Sequence, residues 1–247
     1  MEELYSWMMV ALLLSGAGFY AAFMEGMRRR KELVEKVPED ATIEIMDEEV
    51  NARSSLSAKA LIMSMMSFTP FLHTILLVVL IYVYHIEDPT ASRVAVGALL
   101  AMGLSALFSN LGRYQLYEET ILGMNEWNGG STANFGKHVV FLSIMDPTSI
   151  YGLLVAVLGL LFSGMLGGNE VMIDMYAADR YILGCIVLGL SASATLLSAN
   201  MFKKVEGPVN KGEVIFQKKI INLVIPHTIN LLGLTITVYL IAVSGMM

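Results

Sequence analysis

Charged residues are scarce in this chain. Asp, Glu, Lys and Arg make up 15% of its 247 residues, against about 25% in an ordinary soluble domain. A single cysteine, Cys185, excludes an internal disulfide and reads as a small packing residue inside an apolar run. No metal-ligand spacing emerges among Cys, His, Asp and Glu. The opening lacks the basic stretch of a cleaved leader: Glu2 and Glu3 come first, and the positive cluster Arg28-Arg29-Arg30-Lys31 follows the first apolar run. The first segment therefore reads as a retained helix rather than a signal peptide. A basic excess is missing too, since the net charge is −6. The charged stretch from Arg28 to Glu49 is nearly balanced and implies a solvated loop, not a nucleic-acid surface.

What the chain has in quantity is apolar length. Hydrophobic residues account for 55% of it, and its mean hydropathy is +0.63. Six runs, 5–24, 60–84, 94–112, 138–165, 180–202 and 220–244, approach or exceed the roughly 20 residues a helix needs to cross a hydrocarbon core of about 30 Å. They are continuously apolar rather than alternating, which favours helices over the strands of a closed barrel. The expected fold is an all-α membrane protein with six transmembrane helices.

Fourteen of the 16 Lys and Arg residues fall after the first, third and fifth runs; Arg93 and Arg180 are the exceptions. The positive-inside rule places those connections, with Arg113 and Lys137 assigned to the second of them, in the cytoplasm and both termini on the other side. A cell membrane, archaeal or bacterial, is favoured over an endomembrane.

The six runs form three tandem hairpins. Lys59, Lys137 and Lys218 open the even-numbered helices at spacings of 78 and 81 residues. Nine residues after each lysine stand Phe68, Asp146 and His227; fifteen residues after stand Thr74, Gly152 and Gly233. Among the odd-numbered helices, Gly103-Leu104-Ser105-Ala106 matches Gly189-Leu190-Ser191-Ala192, and the first offers Ser15-Gly16-Ala17-Gly18. Small residues let helix backbones approach closely in lipid. The units are 1–90, with a long cytoplasmic loop at 27–56, then 91–170 carrying Asp146, and 171–247 carrying His227. A ring of hairpins is the expected assembly, with small-residue helices inside and bulkier ones facing lipid.

Asp146 is the only carboxylate well inside an apolar run. A charge at the bilayer centre costs roughly 2.5–3.5 kcal/mol on insertion scales and marks a functional position by default. Pro147 follows it, so a helix cap or break is the competing explanation.

The middle hairpin carries Phe135-Gly136-Lys137, then Asp146-Pro147-Thr148, then Ile150-Tyr151-Gly152-Leu153-Leu154. The third keeps Phe216-Gln217-Lys218, Pro226-His227-Thr228 and Leu231-Leu232-Gly233-Leu234. In order and spacing these resemble the proteolipid, the c or K subunit, of V-type and A-type rotary ATPases, in a triple-hairpin form. The resemblance implies an ion-translocating rotor subunit with no hydrolytic site of its own. Its partners would be further copies in a homo-oligomeric ring, a stator subunit presenting an arginine, central-stalk subunits at the cytoplasmic loops, and lipid. No cofactor is implied beyond the transported proton or sodium ion. The family's ion-binding glutamate falls at Phe68, Asp146 and His227, so one ion site per chain is expected. Thr148 stands where sodium-binding members carry glutamine, which favours protons.

Candidate ion-site residues are Asp146 with Tyr151, Thr148, Ser105 and Asn110, and His227 as a secondary site. Tyr151 is equally a packing residue, and His227 and His73 equally neutral interior histidines. Glu25 reads as interfacial. Two other functions fit the same residues: a structural or assembly subunit of proteolipid fold that is not the main ion carrier, and an independent small transporter. The parallel orientation of the hairpins disfavours the last, since such transporters commonly use inverted repeats.

Overall fold

The computed structural model describes residues 2–35, 55–84, 88–124, 132–166, 173–205 and 213–245. All regular structure among them is helical: α1 (Glu2–Glu35), α2 (55–65), α3 (Phe68–Val83), α4 (Pro89–Leu122), α5 (Thr132–Ser143), α6 (Asp146–Phe162), α7 (Met175–Ser191), α8 (Ala194–Lys203) and α9 (Glu213–Val243). They combine into six spans long and apolar enough to cross a membrane: α1, α2–α3, α4, α5–α6, α7–α8 and α9. This is a multi-pass membrane protein with six transmembrane helices.

Helix lengths differ from the apolar runs in one consequential way. A run ends where polar residues begin, but a helix continues as long as its backbone bonds and packing hold. α1 continues through the basic cluster to Glu35, and α4 continues past 112 to Leu122. Arg113, expected in a cytoplasmic connection, is instead a fully buried residue of α4. Of the expected loop 27–56, residues 27–35 belong to α1 and 55–56 to α2. Its acidic stretch, Glu39 to Glu49, lies outside the described residues, as do Lys36, Arg53, Glu87, Glu170 and Lys211.

The spans stand in two rows. α1, α4 and α7–α8 pack side by side in one; α3, α6 and α9 do so in the other; each hairpin bridges the two. Among the described residues α1 does not pack closely on α7, nor α3 on α9, so the rows form an open arc. α4 is the hub and the most buried span.

The sequence repeat reappears as a repeated contact. A Cβ added to Gly152 would lie 2.7 Å from Ser105 Cβ, and one added to Gly233 would run into Ser191. Ser105 and Ser191 occupy equivalent places in the two Gly-Leu-Ser-Ala motifs. Between hairpins the same device operates: a Cβ on Gly103 would meet the Ala11 backbone at 3.1 Å.

Two even-numbered spans break at the same repeat position. α2 gives way to α3 at Met66–Ser67, just before Phe68, and α5 gives way to α6 at Ile144–Met145, just before Asp146. Pro70 and Pro147 lack the N–H that would continue each ladder, and their rings crowd the carbonyl four residues earlier. The third repeat differs, because α9 runs unbroken through Pro226. There the break sits in the partner span, at Ala192–Ser193. Side-chain hydrogen bonds tie each of the three breaks to α4. Tyr117 donates its hydroxyl to Met63 O at 3.1 Å, Ser109 donates to Met145 O at 2.8 Å, and Thr195 next to the third break donates to Phe108 O at 2.8 Å.

Gly152→Ala is expected to cost about 1–3 kcal/mol through overpacking, read as earlier thermal unfolding in detergent. Ser105→Gly in the same chain should recover part of the loss. Gly136→Ala, in the exposed face of α5 where an added Cβ meets nothing within 4 Å, should not destabilise the protein; equal loss at both glycines would refute the contact.

Candidate functional site

The break before α6 sets Asp146 in the first turn of a 17-residue helix. That helix start favours a negative side chain there through the exposed amides of its first turn. Opposite it, α4 carries a polar stripe at helical spacing: Ser105, Ser109, Asn110, Arg113 and Tyr117, all buried. Arg113 extends to Asp146, and its Nη2 donates to Asp146 Oδ1. Its Nη1 donates to Asn110 Oδ1 at 3.2 Å. The guanidinium is fully enclosed, whereas the aspartate side chain is 28% exposed.

The chemistry of the pair follows from its setting. An arginine stays protonated at any accessible pH. In a low-dielectric interior it needs a counter-charge, and Asp146 supplies one. The two desolvation costs are large and roughly offset by their attraction, so the net gain in stability is small. Removing one partner is different, because it strands a charge in hydrocarbon. The arrangement thus gives the enclosed guanidinium a carboxylate partner within the same chain.

Around the pair, Ser149 donates to Asp146 O at 3.0 Å and sits 3.5 Å from His73 Nδ1 of α3. His73 is within electrostatic reach of both Asp146 and Arg113. The site therefore spans hairpins 1 and 2. Asn110 joins it through Arg113. Thr148 does not turn to Asp146; it accepts from Asn230 Nδ2 at 3.0 Å, and Asn230 Oδ1 accepts from Ser191 at 3.2 Å, a relay that ties α6 to α9 and α7. Ser105 lies buried against Gly152, its hydroxyl without a protein partner. Tyr151 packs against an apolar cluster drawn from α4, α6, α7 and α9. His227 is on α9, both ring nitrogens unpartnered, and no described bond links it to Asp146. Phe68 packs with Phe19 and Phe71, ring centroids 5.6 and 6.2 Å away.

Two further charge clusters occupy the basic end of the bundle. Glu25 is buried and held by Arg28 and Arg29 at 2.8 and 2.6 Å; Arg29 also reaches Glu118 of α4 at 3.3 Å. Lys219 of α9 pairs with Glu119 of α4 at 2.5 Å over the Phe202 ring. No group of three or more His, Cys, Asp and Glu side chains capable of holding a metal occurs among the described residues.

Arg113 is the residue that hydropathy alone misses, because it lies one position past the apolar run 94–112. A signal was present: Ser105, Ser109, Arg113 and Tyr117 recur every four residues, which extends the buried face of a helix through the arginine. Compared with known proteins, the chain matches no protein-family model, no curated protein and no solved structure.

Arg113→Leu, or Asp146→Leu, should each destabilise the protein by roughly 3–5 kcal/mol. The double leucine variant should recover most of that. Unfolding of the purified protein in detergent mixtures of rising SDS content measures the cycle; additive losses would show that the two side chains do not act as a pair.

Proposed function

We propose that this chain is a rotor-type membrane subunit of proteolipid architecture, related in design to the ring subunits of rotary ATPases, whose single carboxylate site is closed by its own arginine. In this role it contributes hairpins to a ring-forming membrane sector and is not the main ion carrier. The observation that carries this is the Arg113–Asp146 pair. An ion-carrying carboxylate must be neutralised by its ion while it faces lipid and released from it by a fixed arginine. Here the arginine belongs to the same chain and travels with the carboxylate, so no ion is needed for neutrality. The open two-row arc of three hairpins supports placement beside further hairpins on both flanks. Tyr5, Leu13 and Tyr20 on α1, and Leu183 and Leu190 on α7, expose apolar surface suited to lipid or to such neighbours. The basic ends of α1, α8 and α9 would face the cytoplasm and central-stalk subunits, with both termini outside, in a cell membrane.

A second reading keeps Asp146 as a proton carrier, meeting a stator arginine in turn. Its partial exposure at the family's ion position favours it. The two readings part over dicyclohexylcarbodiimide, which attacks protonated carboxyl groups in membranes. The closed-site reading expects Asp146 to resist the reagent in the intact protein and to become reactive in Arg113→Gln. Labelling of Asp146 in the unaltered chain, with loss of proton flux in reconstituted vesicles, would instead establish the carrier.

A further inference from the structure

The ion pair does not use all the hydrogen-bonding capacity buried around it. Arg113 presents five N–H donors. Its Nη1 and Nη2 are engaged, but Nε is buried with no protein partner. Asn110 is oriented by chemistry: a guanidinium has no acceptor, so the amide oxygen must face it. The other half of the amide, Nδ2, is then directed elsewhere and is likewise buried without a protein partner. Two orphaned donors thus stand on side chains already bonded to each other at 3.2 Å. An unpartnered buried polar group costs about 1–3 kcal/mol, and native structures relieve such groups with bound water.

The ligand must be an acceptor, since both orphans donate. It must also be neutral: Arg113 and Asp146 already cancel, and an anion would leave net charge in hydrocarbon. Water meets both conditions. Its own hydrogens have an acceptor in Asp146 Oδ2, which none of the described hydrogen bonds engages. We infer that a small water cluster is bound inside the membrane beside the ion pair, held by Asn110 Nδ2 and Arg113 Nε and donating to Asp146. The cluster completes the solvation of the guanidinium and joins Asn110 to the carboxylate. It depends on the ion pair and not on membership of a rotor.

Met145 is a built-in reporter. It is fully buried, precedes Asp146, and its sulfur lies 2.9 Å from where a Gly112 Cβ would stand, next to Arg113. Met102 is equally buried and sits in a separate apolar cluster with Leu4, Met8 and Leu99, whereas Met145 adjoins Asp146 in the chain. X-ray radiolysis turns bound water into hydroxyl radicals that oxidise the nearest side chain. In the intact protein in lipid nanodiscs, Met145 should be oxidised several-fold faster than Met102. Asn110→Leu should bring Met145 down to the Met102 rate, while Asn110→Ser, which keeps a polar group, should not. Equal protection of the two methionines in the unaltered protein overturns the inference, and that comparison needs no variant to fold. A folded Asn110→Leu protein with undiminished Met145 oxidation overturns it as well. Carboxyl labelling by carbodiimide tests the closed site separately, so the two outcomes can disagree.

Discussion

A guanidinium in hydrocarbon has to be answered from within the protein, and the middle of this fold is organised around that requirement. Arg113 is enclosed on the most buried span, where its side chain does not snorkel out to the lipid headgroups. Asp146 answers it from the start of α6. The carboxylate reaches that place because the α5–α6 span is interrupted before Pro147 and restarts with Asp146 in its first turn. The helix break that the sequence offers at Asp146-Pro147 is present: it positions the carboxylate, and Arg113 pairs with it.

The same helix anchors the interrupted spans. Three spans are interrupted, and each is hydrogen-bonded to α4 next to its break: the Tyr117 and Ser109 hydroxyls of α4 donate to Met63 O and Met145 O, and the Thr195 hydroxyl donates to Phe108 O of α4. Glycines bring the backbones close enough for these short side chains to reach. Polar residues scattered along α4 thus work as hydrogen-bonding struts between hairpins, which explains why a span with so many of them is the hub.

The three equivalent repeat positions have diverged to three physical solutions. Phe68 has joined an aromatic cluster, Asp146 has an arginine, and His227 sits in a helix that no longer breaks. Of the three, only Asp146 carries an acidic side chain, and an arginine of the same chain pairs with it.

Six spans, their helical nature and their pairing into hairpins were legible in the order of residues, because continuous apolar length and a repeat near 80 residues are local properties that lipid converts directly into structure. Close helix approach was legible in the small-residue motifs of the odd-numbered helices, as at Gly103, where an added Cβ would meet the Ala11 backbone at 3.1 Å. Helix ends were not, since α4 outlasts its apolar run by ten residues, held by packing rather than hydropathy. That shortfall hid Arg113 and, with it, the state of Asp146. Thr148 and Tyr151 stand near Asp146 in sequence, yet one bonds to α9 and the other packs against an apolar cluster. Residues along one stretch of chain determined that a carboxylate lies inside an apolar run; only the packing of α4 against α6, across 33 positions, decided that an arginine pairs with it. A charge's partner is set by distance in space, and distance in space is what a linear order of residues does not contain.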